Sequence, residues 1–216
     1  MSFVEIFQAG GIVMWPLALF SLIAIALSVE RLVFWVRINR SQRKAIKKIL
    51  ATYRRTPVDV FTILRQNIHL PISRIFLEAL ELEKASPNQF RLALESATQA
   101  ELPILKRFNT VFQTIITVSP LLGLLGTILG LIRSFDAIEI GGIGSNAEAV
   151  TSGISEALVS TAVGMVVAIF TLLFANLFRG LYKRQIALLQ EHGGQLELLY
   201  EDHYASTVGT PEYANS

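Results

Sequence analysis

Residues able to carry chemistry inside an apolar stretch are the most informative part of this chain. Between Pro120 and Gly130 it reads Pro-Leu-Leu-Gly-Leu-Leu-Gly-Thr-Ile-Leu-Gly, within an uncharged run from Phe108 to Ile132. At about 100° per residue, Gln113, Thr117, Pro120, Leu124, Thr127 and Ser134 fall along one helical stripe. Hydroxyls and an amide in that arrangement can orient water and relay a proton, but none of them holds a proton near neutral pH. A second run, Ala157 to Phe178, repeats the pattern, with Gly153, Glu156, Ala157, Ser160, Thr161, Gly164, Ala168, Thr171 and Ala175 on one side. Neither run contains Asp, Glu, Lys or His. A titrating group for ion or proton movement must therefore come mainly from another chain.

Small residues flank the first stripe. Ser119, Gly123, Gly126 and Gly130 form an arc that lets a neighbouring helix approach closely. Ile115, Val118, Leu121, Leu122, Leu125, Leu129 and Ile132 form an aliphatic arc, read here as the lipid face. The competing reading is packing alone, with each threonine bonding back to its own helix carbonyls. Glu156 stands near one end of the small, polar face. There a carboxylate either meets interfacial water or stabilises the positive end of the helix dipole.

The elements that must position these residues are membrane helices. The chain has 216 residues, 52% hydrophobic, and three uncharged runs: Ile6 to Val29, Phe108 to Ile132 and Ala157 to Phe178. Each is long enough to cross about 30 Å of hydrocarbon as a helix. The first lacks a basic leader and is read as an uncleaved anchor. Absence of cysteine excludes disulfides and thiolate metal sites. Basic residues cluster at Arg31, Arg37, Arg40, Arg43, Lys44, Lys47, Lys48, Arg54 and Arg55, and again at Lys106, Arg107, Arg179, Lys183 and Arg184. Those flanks are expected on the cytoplasmic side, with the N-terminus outside and the C-terminus inside. Membrane topology and anionic lipid explain the basic run, so nucleic-acid binding is not required.

The expected layout is an all-α membrane protein. It has a short outer segment 1–10, spans at 11–36, 108–132 and 156–178, a helical cytoplasmic region 37–107, an outer connection 133–155, and a cytoplasmic helix with frayed tail 179–216. Breaks are expected at Pro57, Pro71 and Pro87, with Ser86 as an N-cap. Pro103 is expected to kink a helix running toward the second span, and Gly193-Gly194 to bend or interrupt the last one. Residues past His203 are expected to fray. Gly142-Ile143-Gly144-Ser145-Asn146-Ala147 matches a dinucleotide fingerprint with alanine last, but no βαβ unit precedes it and it is placed in an external loop. His69, His192 and His203 lack ligand spacing, and there is no nucleophile elbow or P-loop. No enzyme, cofactor or metal is expected. Three spans of a single copy cannot enclose a pore, which calls for a homo-oligomeric ring around a partner helix.

These residues resemble the MotA/TolQ/ExbB proton channel family, and within it the three-span ExbB and TolQ members. The most specific matches are Pro120, Gly123, Leu124, Gly126, Thr127 and Gly130, then Glu156-Ala157-Leu158 with Thr161 and Gly164. The resemblance implies a pentamer in the bacterial inner membrane around an ExbD- or TolR-like single-span partner whose aspartate carries the proton. Proton motive force would then drive a TonB- or TolA-like periplasm-spanning protein for outer-membrane transport or envelope maintenance. It assigns Thr127, Thr161 and Glu156 to the proton pathway. Gln113, Thr117, Pro120, Leu124, Gly123, Gly126, Gly130, Ser160 and Gly164 are expected to face the pore or pack helices. Flagellar stators of the superfamily have four spans, which weakens a stator reading, and a non-conducting assembly scaffold is the alternative of another class. The chain departs from the family at Phe170, where Ala-Ile-Pro is usual, and at Met165, a common leucine; the missing proline implies a straighter third helix.

Overall fold

A computed structural model describes residues 7, 9–82, 85–145 and 147–208. Among them every regular element is helical: α1 Met14–Arg55, a 3-10 turn Pro57–Asp59, α2 Val60–Gln66, α3 Pro71–Leu80, α4 Pro87–Leu105, α5 Asn109–Ser145 and α6 Ala147–Val208. Three stretches, in α1, from α4 into α5, and in α6, are long and apolar enough to cross a membrane. The chain is a multi-pass membrane protein.

Two compact units emerge. The described residues of the first fall within Met1–Arg31 and Phe108–Arg179, so it contains the long uncharged runs. Val13, Met14 and Leu17 form one buried cluster with Leu122, Leu129 and Val163 against it; Ala24, Ile115 and Val167 form another. This corrects the single lipid face expected for α5. On the helical wheel Ile115, Leu122 and Leu129 lie within about 20° of the point opposite Gln113, on the side nearer the glycine arc, and they pack inward. Leu121, Leu125 and Ile132, at about 80° to 120°, remain exposed. Val166, Ile169 and Leu173 of α6 are exposed as well. Apolar side chains left outward over a membrane span need no covering by protein, since lipid tails are as apolar as leucine.

The second unit, within Leu32–Arg107 and Gly180–Ser216, is built on proline-started helices. Pro71 and Pro87 occupy the first turns of α3 and α4, where a missing N–H costs nothing. Ser86 and Gln89 complete a capping box: the Gln89 amide donates to Ser86 Oγ at 3.4 Å, and the Ser86 amide to Gln89 Oε1 at 2.8 Å. Ser86→Ala is expected to cost about 1 kcal/mol of the unit's stability, read as a lower unfolding midpoint; an unchanged midpoint would remove the cap from the account. Phe76, Phe90, Leu64, Ile72 and Leu196 are fully buried in this unit, and Phe90 stacks on Tyr200 with ring centroids 4.0 Å apart.

Three local expectations, at Gly193-Gly194, past His203 and at residues 141–145, are corrected. Pro103 lies inside α4, which ends at Leu105, and Phe108 has a left-handed φ of 66°. The guanidinium of Arg31 lies 5.2 Å from the Phe108 ring centroid, an attraction that helps hold this costly conformation. Gly193 and Gly194 do not interrupt α6; their penalty of roughly 1 kcal/mol each is carried by a 62-residue helix. α6 also continues past His203 to Val208 instead of fraying there. Between the second and third spans, residues 141–145 are helical and not a loop; Asn146 lies outside the described residues, as does the tail beyond Val208. Phe170 leaves α6 uninterrupted, its ring 4.8 Å from that of Phe174.

Candidate functional site: a hydroxyl cluster between α5 and α6

Glycines bring α5 and α6 into backbone contact. A Cβ placed on Gly123 would stand 3.0 Å from the Ser160 carbonyl oxygen, one on Gly130 2.5 Å from that of Gly153, and one on Gly164 2.6 Å from that of Ser119. On Gly126 it would meet the Ser160 side chain. The two helices therefore run antiparallel, with Gly164, Ser160 and Gly153 opposite Ser119, Gly123 and Gly130 in turn. Spacing this close needs residues without side chains on both partners.

Where the helices touch, three hydroxyls converge on one carbonyl. Thr127 Oγ1 lies 3.1 Å, Thr161 Oγ1 3.0 Å and Ser160 Oγ 3.4 Å from the Gly123 oxygen. Thr127 and Thr161 are also 2.6 Å from each other, and either can be the donor. Two threonine hydroxyls bring only two protons to these three short contacts, so the cluster has alternative donor patterns that interconvert by rotating O–H bonds. That is the requirement for passing a hydrogen bond, or a proton through water, along a helix interface. Thr127 still bonds back to its own helix, so the packing reading and the relay reading share this residue.

The wider stripe divides. Thr127 and Ser134 lie on its glycine-facing edge and turn into the helix contact; Ser134 is buried and donates to Gly130 or Val150 carbonyls, each at 3.1 Å. Thr117 and Leu124, at about +40° and +20°, lie on the exposed side of the single chain, and Thr117 bonds back to the Gln113 carbonyl at 3.0 Å. Gln113 and Pro120 are half-buried. Ser119, buried beside Gly164, has an unpartnered hydroxyl. In α6, Glu156, Ala157, Ser160, Ala168, Thr171 and Ala175 are all buried. Thr171 bonds back to Val167 at 2.7 Å, which takes it out of the cluster.

Sequence reasoning missed three participants. Arg133 Nη1 lies 2.5 Å from Glu156 Oε2. The Gly123 carbonyl is the common acceptor. Gly11, with φ of 68°, packs so closely on the Glu156 carboxylate that any Cβ there would run into it. A signal for the ion pair was present: Arg133 ends one apolar run and Glu156 begins the next, and antiparallel neighbours bring those ends to the same side of the hydroxyl cluster, within reach of a long arginine side chain. No group of His, Cys, Asp or Glu suited to a metal occurs among the described residues.

Comparison with known proteins agrees with this architecture. The model of the MotA/TolQ/ExbB proton channel family matches residues 67–191. The ExbB-like 3 biopolymer transport protein of Synechocystis sp. is 60% identical, over 97% of this chain and 100% of its own length. ExbB-like 1 of the same organism is 41% identical over 91% of this chain and 78% of its own. The biopolymer transport protein ExbB of Salmonella typhimurium is 38% identical, over 43% of this chain and 38% of its own. Three apolar helices, glycine-mediated contact between the last two and these matches together place the chain in the MotA/TolQ/ExbB proton channel family.

Proposed function

We propose that this chain is the ring-forming, proton-conducting subunit of an inner-membrane motor. In this reading several copies, five by resemblance, surround the span of an ExbD- or TolR-like partner. A partner carboxylate carries the proton past Thr127 and Thr161, and the resulting motion works on a TonB- or TolA-like protein in the periplasm. The N-terminus then lies outside and the second unit inside, as the basic flanks of the first span favour. The observation that carries the reading is the pair of hydroxyls sharing the Gly123 carbonyl within apolar runs, 108–132 and 157–178, that hold no Asp, Glu, Lys or His.

Proton flux into liposomes tests it. Wild-type protein with its partner is expected to conduct, and flux is expected to fall about tenfold in Thr127→Val and Thr161→Val, the kinetic equivalent of losing one net hydrogen bond. Neutralising the partner aspartate is expected to abolish it. Full flux in both threonine variants would remove them from the path. No flux from any verified complex would favour the scaffold reading, in which the small faces serve packing alone.

A further inference from the structure

Arg133 and Glu156 pair on the side of the hydroxyl cluster that lies toward the helix connection, where Gly130 with Gly153 and Ser134 with Val150 carry the α5/α6 contact further. Glu156 stands five residues before Thr161, and Arg133 six after Thr127. In the register of the glycine contacts Glu156 is level with Thr127, and Arg133 lies six residues, about 9 Å, further toward the connection, so the guanidinium reaches back along α5 to a carboxylate beside the hydroxyl cluster. Its two members are unequally placed. The Glu156 side chain is 11% exposed, with Oε1 against Gly11 and Oε2 on Arg133, whereas the Arg133 side chain is 55% exposed. The carboxylate is confined by the Gly11 turn and by its own helix. The guanidinium is the less enclosed member, so of the two it is the one with room to move.

We propose that Arg133 is a positioning residue that latches Glu156 across the outer end of the hydroxyl cluster, and that its release opens that end to protons. This rests on the proton-conducting reading above. A latch of this kind keeps a ring shut until an arriving partner or a change of helix contact displaces the guanidinium. The short, tightly placed contact to a buried carboxylate sets it apart from an ordinary surface ion pair, whose effect is small.

Proton flux in liposomes separates the possibilities, comparing wild type, Arg133→Gln, Arg133→Lys, Glu156→Gln and the double glutamine variant, each with and without the partner. Rings of Arg133→Gln without partner are expected to leak at least about tenfold above wild type, the scale on which leaving a buried carboxylate without its partner shifts an equilibrium. Arg133→Lys is expected to restore closure, a rescue that depends on charge and not on the shape of the guanidinium. The double variant is expected to behave as Glu156→Gln does, because the two residues act as one unit. Wild type that conducts with its partner, beside an Arg133→Gln ring as tight as wild type, overturns the latch alone. Additive effects in the double variant overturn it as well. Wild type that fails to conduct with its partner overturns the conducting reading and the latch with it.

Discussion

Gly164→Leu is expected to abolish assembly of the membrane unit, and Gly164→Ala to lower its stability by about 1–3 kcal/mol. A Cβ at this position would stand 2.6 Å from the Ser119 carbonyl oxygen and 3.1 Å from the Gly123 Cα. Both obstacles are backbone, so no side chain can rotate away, and relief requires α5 and α6 to separate. Separation would also pull Thr161 off the Gly123 carbonyl, 3.0 Å away at present, and dissolve the hydroxyl cluster. Gly193→Ala supplies the contrast. It lies in the same helix with nothing within 4 Å of its Cβ position, and there the better helix propensity of alanine is expected to add up to about 1 kcal/mol. Thermal unfolding in detergent, with complex size from chromatography, measures both. A Gly164→Leu protein with wild-type midpoint and size would refute the packing described for these helices.

Arg74→Met is expected to destabilise the second unit by roughly 3–5 kcal/mol, and Glu101→Gln by less, about 2 kcal/mol. Arg74 of α3 grips Glu101 of α4 with two bonds, Nε to Oε1 at 2.5 Å and Nη2 to Oε2 at 2.6 Å, and its Nη1 also donates to the Ile68 carbonyl at 2.9 Å. The hydrogen bond to Glu101 holds the guanidinium in its charged form more firmly than usual, against the opposing effect of burial. Losing the arginine strands a carboxylate that is only 9% exposed and leaves the Ile68 carbonyl without this donor. Losing the glutamate strands a guanidinium that is 29% exposed and can turn to water. The order of the two effects follows from that difference. Hydrogen exchange across residues 60–105 of the intact protein, alongside its unfolding midpoint, measures them. Equal and small losses would show the pair to be no stronger than a surface contact.

The division between what the residues dictated and what folding added is visible within single helices. Glycine and serine at helical spacing in both apolar runs implied close approach of a neighbouring helix without saying which; the structure makes α5 and α6 each other's neighbours at Gly123, Gly130 and Gly164. The proline positions of α3 and α4 and the capping residue Ser86 were likewise readable, because each acts through the backbone within one turn. The helical wheel of α5 showed an aliphatic arc but not that α1 would cover Ile115, Leu122 and Leu129 while leaving Leu121 and Leu125 outside. Leucine is equally suited to a protein neighbour and to lipid, so its type carries no instruction about which it meets.

Periodicity is a property of neighbouring residues and survives in the bare sequence, which therefore determined three apolar helices and the small and polar faces of the last two, with no Asp, Glu, Lys or His in the runs 108–132 and 157–178. Tertiary structure alone decided that Thr127 meets Thr161 across 34 residues, that both approach the carbonyl of Gly123, and that Arg133 closes on Glu156 across 23. Such pairings depend on how two helices are set beside each other in depth and rotation. A shift of one residue along either helix turns each side chain by about 100° and would leave every local signal in the sequence unchanged.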